Sequence, residues 1–387
     1  MSTYLETRNN VNSFRSSLSS CTSLLARSLT NKESFAAYLE SLIQLFKPEW
    51  RFQKLAAKVI STKYENSNIY TLTLKPDNKW TSFLPGQFVL LTAEINGRML
   101  TRTFSISSAP RDFQATGLIE VTIRAQDKGA VTPWLRDQLQ PGNFVYLSEA
   151  MGDFCLKSDH HKKVFIAAGS GITPIRAMLN EHRDSVWLKD AHLFFYLREQ
   201  KDRFFTKDLK ALQEQGLNVH MIFTEEAGHF SIAQLEQHLN KQSSNSSIQD
   251  IDYYICGPGQ MIESCTSLIS SAGVNTANIH FEYFGKAPIK LEPNTSDHGD
   301  FIQVDYLDSR KQVKFTSGTV SKTLLELAEE EGLKPVTGCR QGICHQCICK
   351  KKQGRVYNTK TQEYSDSGPE EIQLCLSVPV GTVELEL

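Results

Sequence analysis

The sequence predicts a multidomain chain: a small antiparallel β-barrel, then a parallel α/β sheet, then a small mixed α+β domain, all behind a short helical leader. Three observations predict it. Short β-rich runs separated by turn signals fill residues 54–156. From residue 162 apolar runs alternate with helical patterns. Beyond a stretch at 287–299 holding Pro288, Pro293, Asn294 and Gly299, two strands and one helix lead into a cluster of cysteines. A chain of 387 residues has room for two or three domains. The boundaries read as 1–49 for the leader, 50–157 for the barrel, 158–286 for the α/β domain, 287–299 for a linker and 300–387 for the last domain.

The elements follow in order. In the leader, Leu24, Leu25, Phe35, Leu39, Leu42, Ile43 and Phe46 fall near one helical face, and Pro48 ends the pattern. Residues 1–30 are rich in Ser and carry Arg8, Arg15 and Arg27 against only Glu6, a composition shared by organelle transit segments and by poorly ordered leaders. The barrel strands are Ala57–Ser61, Ile69–Lys75, Gln87–Ala93, Leu118–Arg124 and Asn143–Leu147, with turns at Pro85-Gly86 and Pro141-Gly142. In the second domain Val164–Ala168 is followed by a Gly-rich turn and a helix from Pro174. Further strands are expected at Leu193–Leu197, Val219–Phe223 and Tyr253–Cys256. The third domain has strands at Phe301–Tyr306 and Gln312–Phe315 and a helix, Ser321–Glu331, stopped by Gly332.

A formal net charge of −1 points to neither nucleic acid nor an acidic membrane surface. No run approaches the ~20 apolar residues of a membrane helix, so a cytoplasmic location is expected, with organelle targeting through residues 1–30 as the alternative. Of nine cysteines, five lie from Cys339 to Cys375, which argues for metal or redox chemistry rather than a disulfide framework.

Cys339, Cys344 and Cys347, with Cys375 farther on, have the C-x4-C-x2-C…C spacing of a plant-type [2Fe–2S] site. Two irons need four thiolates, and Gly338 and Gly342 let the backbone wrap close to the sulfurs. Zinc is the alternative, but zinc sites usually pair two C-x2-C knuckles. Cys349 reads as a small buried residue rather than a ligand.

Arg102, Thr103, Phe104 and Ser105 resemble the R-x-Y-[ST] flavin motif of the ferredoxin–NADP+ reductase superfamily, with Phe104 in place of the usual Tyr. By itself this match is also what a surface Arg beside a core aromatic looks like. Pro85-Gly86-Gln87-Phe88 ahead of it resembles the family's P-G-Q-[FY] turn. Thr122 and Arg124, then Gly129, Ala130, Val131 and Thr132, match later flavin-holding segments. The resemblance implies that Arg102 meets a flavin phosphate, that Phe104 lies against the isoalloxazine, and that Ser105 bonds its N5. A helix starting near Thr132 would offer free N–H groups to a pyrophosphate. FAD is the expected flavin, with FMN as the alternative.

Gly169, Gly171, Thr173 and Pro174 follow a strand and open a helix, where glycines and a helix N-terminus suit a pyrophosphate. They match the family's G-x-G-[IV]-[TA]-P form. Arg198 and Arg203 resemble the segment that reaches the adenosine phosphates, and Cys256, Gly257 and Pro258 the C-G-P turn beside the nicotinamide. Glu282 and Phe284 resemble the segment that closes the module. Catalytic roles fall to Ser105, Cys256 and Glu282, with an inert core thiol as the alternative for Cys256. NADPH is expected over NADH from Arg198, Lys201 and Arg203, for which solvated surface charge is the competing reading.

The resemblance spans about residues 50–387, and its domain order is that of oxygenase and desaturase reductases with a C-terminal β-grasp ferredoxin. It implies a hydride from NAD(P)H to FAD, then single electrons through a cluster near about −400 mV to a partner. Phe46-Lys-Pro48-Glu-Trp50 resembles the start of reductases serving membrane di-iron acyl-CoA desaturases, such as those acting on stearoyl-CoA. The alternatives are a ring-hydroxylating oxygenase or an aromatic acyl-CoA epoxidase as acceptor, or a redox-sensing iron–sulfur protein. A soluble reductase would meet a membrane-bound partner peripherally, without a span.

Overall fold

The computed structural model describes residues 55–157, 162–239, 248–284, 301–316, 322–338, 340, 342, 345–361 and 363–387. The leader, the linker, and the expected ligands Cys339 and Cys344 lie outside the described residues.

The first domain holds β1 (Leu55–Tyr64), β2 (Ile69–Pro76), β3 (Phe88–Ile95), β4 (Arg98–Ser105), α1 (Pro110–Thr116), β5 (Ile119–Arg124), α2 (Thr132–Asp137) and β6 (Phe144–Leu147). The strands form one antiparallel sheet in the order β4-β3-β6-β1-β2-β5. The sheet curls until its two edges meet through an isolated antiparallel bridge between Ile106 and Val121. Inward-facing Tyr70, Leu72, Leu74, Leu91, Val121 and Ile123 fill the curl, as period-two burial requires. Sequence reading passed over β4. Its signal was Asn96-Gly97, both at positive φ, which turn β3 into β4 as a tight hairpin.

The second domain holds β7 (Lys162–Ala168), α3 (Ile172–Glu181), β8 (His192–Leu197), α4 (Thr206–Glu214), β9 (Asn218–Phe223), α5 (Thr224–Ala227), α6 (Ile232–Leu239), β10 (Ile251–Gly257), α7 (Gly259–Ser271) and β11 (Ile279–Tyr283). All pairings are parallel, in the order β11-β10-β7-β8-β9. Because both faces carry helices, β8 and β10 are buried along their whole length, which is why they read as unbroken apolar runs. From β7 the chain runs to one side through β8 and β9, then crosses back to the other side of β7 for β10 and β11. The carboxyl ends of β7 and β10 therefore form the switch point where open α/β sheets bind ligands.

The third domain holds β12 (Phe301–Tyr306), β13 (Lys311–Thr316), α8 (Leu324–Glu330), β14 (Ile348–Asn358), β15 (Glu363–Tyr364), β16 (Glu370–Gln373) and β17 (Ser377–Leu385). The order is β13-β12-β17-β14-β15, with β16 added on β14. Thr323 and Glu326 cap α8, the Thr323 N–H donating to Glu326 Oε2 at 3.0 Å. Leu324, Leu325, Leu327 and Ala328 pack on the sheet. Among the described residues no helix is long and apolar enough to cross a membrane.

Lys351 on β14 is fully buried. Its ammonium donates to the carbonyls of Gly354, Asp366 and Gly368, each at 2.7 Å, and pairs with Glu370 at 3.0 Å. One cation thus gathers the excursion between β14 and β16 onto the sheet. Lys351→Met removes these charged donations, and a loss on the order of 3 kcal/mol from the third domain is expected. Urea unfolding of the variant would show it as a lowered midpoint in that domain; an unchanged midpoint would deny Lys351 this role.

Candidate active site and cysteine centre

A cavity of about 330 Å³ opens where the two edges of the curled sheet meet. Its walls are Arg102 to Ser105 from β4, Thr122 to Arg124 from β5, Gly129 to Thr132 ahead of α2, and Glu282 and Phe284 from the second domain. Every residue expected at the flavin from the first domain lines this one space. Ser105 is buried, and Phe104 packs against the domain core. The Tyr70 hydroxyl, deep in that core, donates to Thr132 O at 2.7 Å and fixes the start of α2. Thr132 Oγ1 accepts from the Gln126 N–H at 2.9 Å, closing the loop. No side chain caps α2, so its first-turn donors are left for solvent or a ligand.

The chemistry of the walls suits a flavin. The Thr103 hydroxyl and Glu282 Oε2 are buried without partners among the described residues, and such groups are costly unless something bonds them. The Arg102 guanidinium is held below its ordinary pKa by burial, and secondarily by the like charge of Arg340 from the third domain. An anion would relieve both. Thr122 differs from expectation in one respect. Its hydroxyl is engaged with Thr71 Oγ1 and Ser107 Oγ, each at 2.9 Å, so it shapes the wall through a buried hydroxyl chain.

A second cleft of about 800 Å³ lies at the switch point. It shares Arg124, Gln126, Ser170 and Phe284 with the first, so the two are continuous. Gly169, Gly257, Pro258 and Arg198 line it. Gly171, Thr173 and Pro174 do not. They build the turn beneath it: Thr173 Oγ1 donates to Ser170 O at 2.9 Å, and Gly171 presses against the end of β10. Cys256 is likewise fully buried behind the wall, and burial, then Glu282, pushes its thiol well above the ordinary value. Arg203 stacks 4.9 Å from the Phe223 ring and does not reach the cleft, whereas Lys201 does. Gln126 and Ser170 were missed as site residues. Ser170 lay between the motif glycines, and nothing local marked Gln126.

Burial pushes the Glu282 carboxyl up to about 8. The group is therefore neutral at pH 7, able to donate a proton in a hydrogen bond, and ionises above pH 8. A raised acid favours the folded state at low pH, and this contribution fades as pH rises from about 4.5 through 8. Flavin reduction by the nicotinamide is expected to change with an apparent pKa near 8, and Glu282→Gln, which mimics the neutral acid, to flatten the profile. A profile with the same inflection in Glu282→Gln would assign the titration to another group.

In the third domain Cys347 and Cys375 are nearly buried, and their sulfurs stand 3.2 Å apart without a disulfide. The hydrogen bond shared with Cys375 outweighs burial and draws the Cys347 thiol down to about 6. Gly342, at positive φ, lies so close to Leu376 that a Cβ there would meet Leu376 Cδ1 at 2.1 Å. Gln373 Nε2 reaches both Gly342 O at 3.2 Å and His345 Nδ1 at 3.0 Å, bracing the loop to the strand before Cys375. A low-lying Cys347 thiol at the end of a tightly wrapped loop, with the Cys375 sulfur beside it, suits a thiolate-bound cluster. Cys349 points away, toward Glu386 O at 3.3 Å, and burial pushes its thiol up to about 11.

Three family models match in order: an oxidoreductase FAD-binding domain at residues 56–155, an oxidoreductase NAD-binding domain at 165–267, and a 2Fe-2S iron-sulfur cluster binding domain at 307–380. Fold and site together define an NAD(P)H-dependent flavin and iron–sulfur oxidoreductase. The chain is 25% identical over 358 residues to an NADPH oxidoreductase of Mycobacterium tuberculosis, covering 90% of this chain and 88% of that protein. It is 26% identical to the glycine betaine monooxygenase reductase subunit of Chromohalobacter salexigens, covering 79% and 87%. Its fold matches phthalate dioxygenase reductase with a TM-score of 0.56 at 18% identity, over 87% of this chain and 98% of that one. The chain belongs to the ferredoxin–NADP+ reductase superfamily, as a member with its [2Fe–2S] ferredoxin domain at the C-terminus.

Proposed function

We propose that this reductase takes its electrons from NADPH and delivers them singly to the oxygen-activating component of a monooxygenase or desaturase system. The observation that carries the reading is the continuity of the two cavities through Ser170 and Phe284, which lets a nicotinamide held at the switch point lie against a flavin. Bound FAD accepts a hydride as an electron pair, and the [2Fe–2S] cluster carries electrons one at a time. The chain's own part is to orient and to shield. Arg102 holds phosphate, Phe104 packs the ring system, Ser105 offers a hydroxyl to its reactive nitrogen, and Phe284 covers the junction from water. Cys256 shapes the nicotinamide wall from behind, and Glu282 supplies a neutral carboxyl.

The choice of NADPH rests on Arg198 and Lys201. Each is exposed and held by a carboxylate, Glu225 at 2.7 Å and Glu199 at 2.8 Å. Such surface pairs are worth only about 0–1 kcal/mol, so a 2′-phosphate can displace them. An oxygenase acceptor is supported by the betaine monooxygenase reductase relative. The desaturase reading rests on Phe46 to Trp50, outside the described residues. The same reading takes the curled sheet as a closed barrel, the third domain as a β-grasp ferredoxin, and the protein as cytoplasmic.

Anaerobic reduction with NADPH and, separately, NADH, followed by flavin bleaching and low-temperature EPR, tests the proposal. A rhombic [2Fe–2S] signal rising with bleaching, faster with NADPH, is the expected result. Bleaching without the signal would sever the cluster from the pathway, and faster reduction by NADH would overturn the donor.

A further inference from the structure

We infer that Arg176 is a positioning residue for hydride transfer, a clasp that fixes the nicotinamide domain against the flavin domain. Arg176 sits in α3, the helix that grows from the Gly169–Gly171 turn, in which Ile172, Ile175, Ala177, Met178 and Leu179 are buried. Its side chain is only 13% exposed. From there it reaches into both domains. Nη1 donates to Ser107 O at 2.8 Å and to Glu120 Oε2 at 2.7 Å, both in the flavin domain. Nε donates to Asp208 Oδ2 at 2.7 Å in the first turn of α4, and the guanidinium lies 4.5 Å from the Phe205 ring, both in the nicotinamide domain.

Each arm ends close to a cofactor wall. Ser107 stands two residues beyond Ser105, and its hydroxyl bonds Thr122, which lines the flavin cavity. At the other end, α3 grows directly from the turn that holds Gly169 and Ser170, which line the nicotinamide cleft. One rigid side chain therefore connects the strand ends that hold the flavin with the turn that holds the dinucleotide. The rest of the seam adds the packing of Ile69 against the second domain's core and the Arg111 N–H donating to Glu181 Oε2 at 2.8 Å. Arg111 pairs with Asp184, whose side chain is 73% exposed, and Asn66 Nδ2 donates to Asp202 O at 3.1 Å.

The electrostatics couple the two arms of the clasp. Glu120 and Asp208 come from different domains and share one cation. Without it two carboxylates face each other across the seam and push it apart. Lysine cannot substitute, because a single ammonium lacks the planar fork that serves two carboxylates and a carbonyl at once. Hydride transfer is sensitive to such a loss, since a displacement of 1 Å at the reacting atoms can cost about 100-fold.

The inference rests on the reading that a nicotinamide reduces the flavin here, and the wild-type protein tests that reading separately. If NADPH and NADH both fail to bleach wild-type flavin, the functional reading falls and the clasp with it. With wild-type bleaching in hand, flavin-replete Arg176→Met is compared by anaerobic stopped flow. The limiting reduction rate is expected to fall at least about 10-fold, while the NADPH concentration giving half that rate moves by less than about 3-fold. The long-wavelength charge-transfer band of stacked nicotinamide and flavin should weaken, and amide exchange in 119–124 and 206–214 should quicken. Arg176→Lys should fall between. Should Arg176→Met not retain flavin, Glu120→Gln, at a carboxylate 34% exposed, removes the charged half of the flavin-domain arm and leaves the Ser107 carbonyl, and should lower the rate and the band in the same direction by a smaller factor. A wild-type limiting rate and full band in these variants, or a rate that falls only as flavin content falls, would overturn the clasp.

Discussion

Cys375→Ser is expected to give a protein that still bleaches its flavin with NADPH but shows no EPR signal of a reduced cluster. It should also have lost reduction of a one-electron protein acceptor such as cytochrome c. Cys375 and Cys347 present their sulfurs 3.2 Å apart at the end of the third domain's core, where the turn after β16 meets the start of β14. A serine oxygen is a poor replacement for a thiolate at iron. Loss of a partner beyond the ligands already costs metal sites about 10–100-fold, so loss of a ligand should exceed about 100-fold in one-electron transfer. Ferricyanide, which can draw electrons from flavin directly, should still be reduced. Cys349→Ser supplies the contrast, since its sulfur points to Glu386 O on the other side of β14. It should keep the cluster. Loss of the signal in Cys349→Ser with retention in Cys375→Ser would mean that the ligand set has been misread.

Much of this site was legible because its signals are local. Gly169, Gly171 and Pro174 encode a strand-to-helix turn whose form follows from backbone conformation alone. The parallel sheet announced itself through strands buried on both faces. The first-domain flavin segments converge because β4 and β5 are the two edges of one curled sheet, so motifs 20 residues apart in sequence become facing walls. What stayed hidden depends on partners far along the chain. Arg176 looks like a stray charge in an apolar helix until Glu120 and Asp208 arrive from either side. Arg198 and Arg203 are alike in sequence, but only one reaches the cleft, because Phe223 captures the other. Thr122 offers a hydroxyl in sequence that Thr71 and Ser107 consume in the fold. The burial of Glu282, which sets its protonation, is a property of the assembled domains.

Gly171→Ala is expected to cost about 100-fold in flavin reduction by NADPH while leaving reduction by dithionite intact. The two glycines of the turn differ in kind. Gly169 has φ of +51°, and the nearest atom to an added Cβ is Arg124 Nη1 at 4.0 Å. Alanine there pays only for the left-handed backbone, about 1–2 kcal/mol, and has room. Gly171 has an ordinary φ of −61°, so alanine is free of backbone strain. Its Cβ would instead stand 2.2 Å from Cys256 O and 2.5 Å from Cys256 C. These are backbone atoms of β10, which is hydrogen-bonded to β7 on one side and β11 on the other and cannot yield. The helix must therefore move, and α3 follows directly on Gly169 and Ser170 and carries Arg176. A lift of about 1 Å displaces the dinucleotide wall and strains the clasp together, which is why the expected loss is kinetic rather than a failure to hold flavin. Stopped-flow reduction by NADPH, with dithionite as the control, reads the two glycines side by side. Gly169→Ala should be mild and Gly171→Ala severe. The reverse order would show that backbone conformation, and not the close approach of helix to strand, sets the geometry of the nicotinamide site.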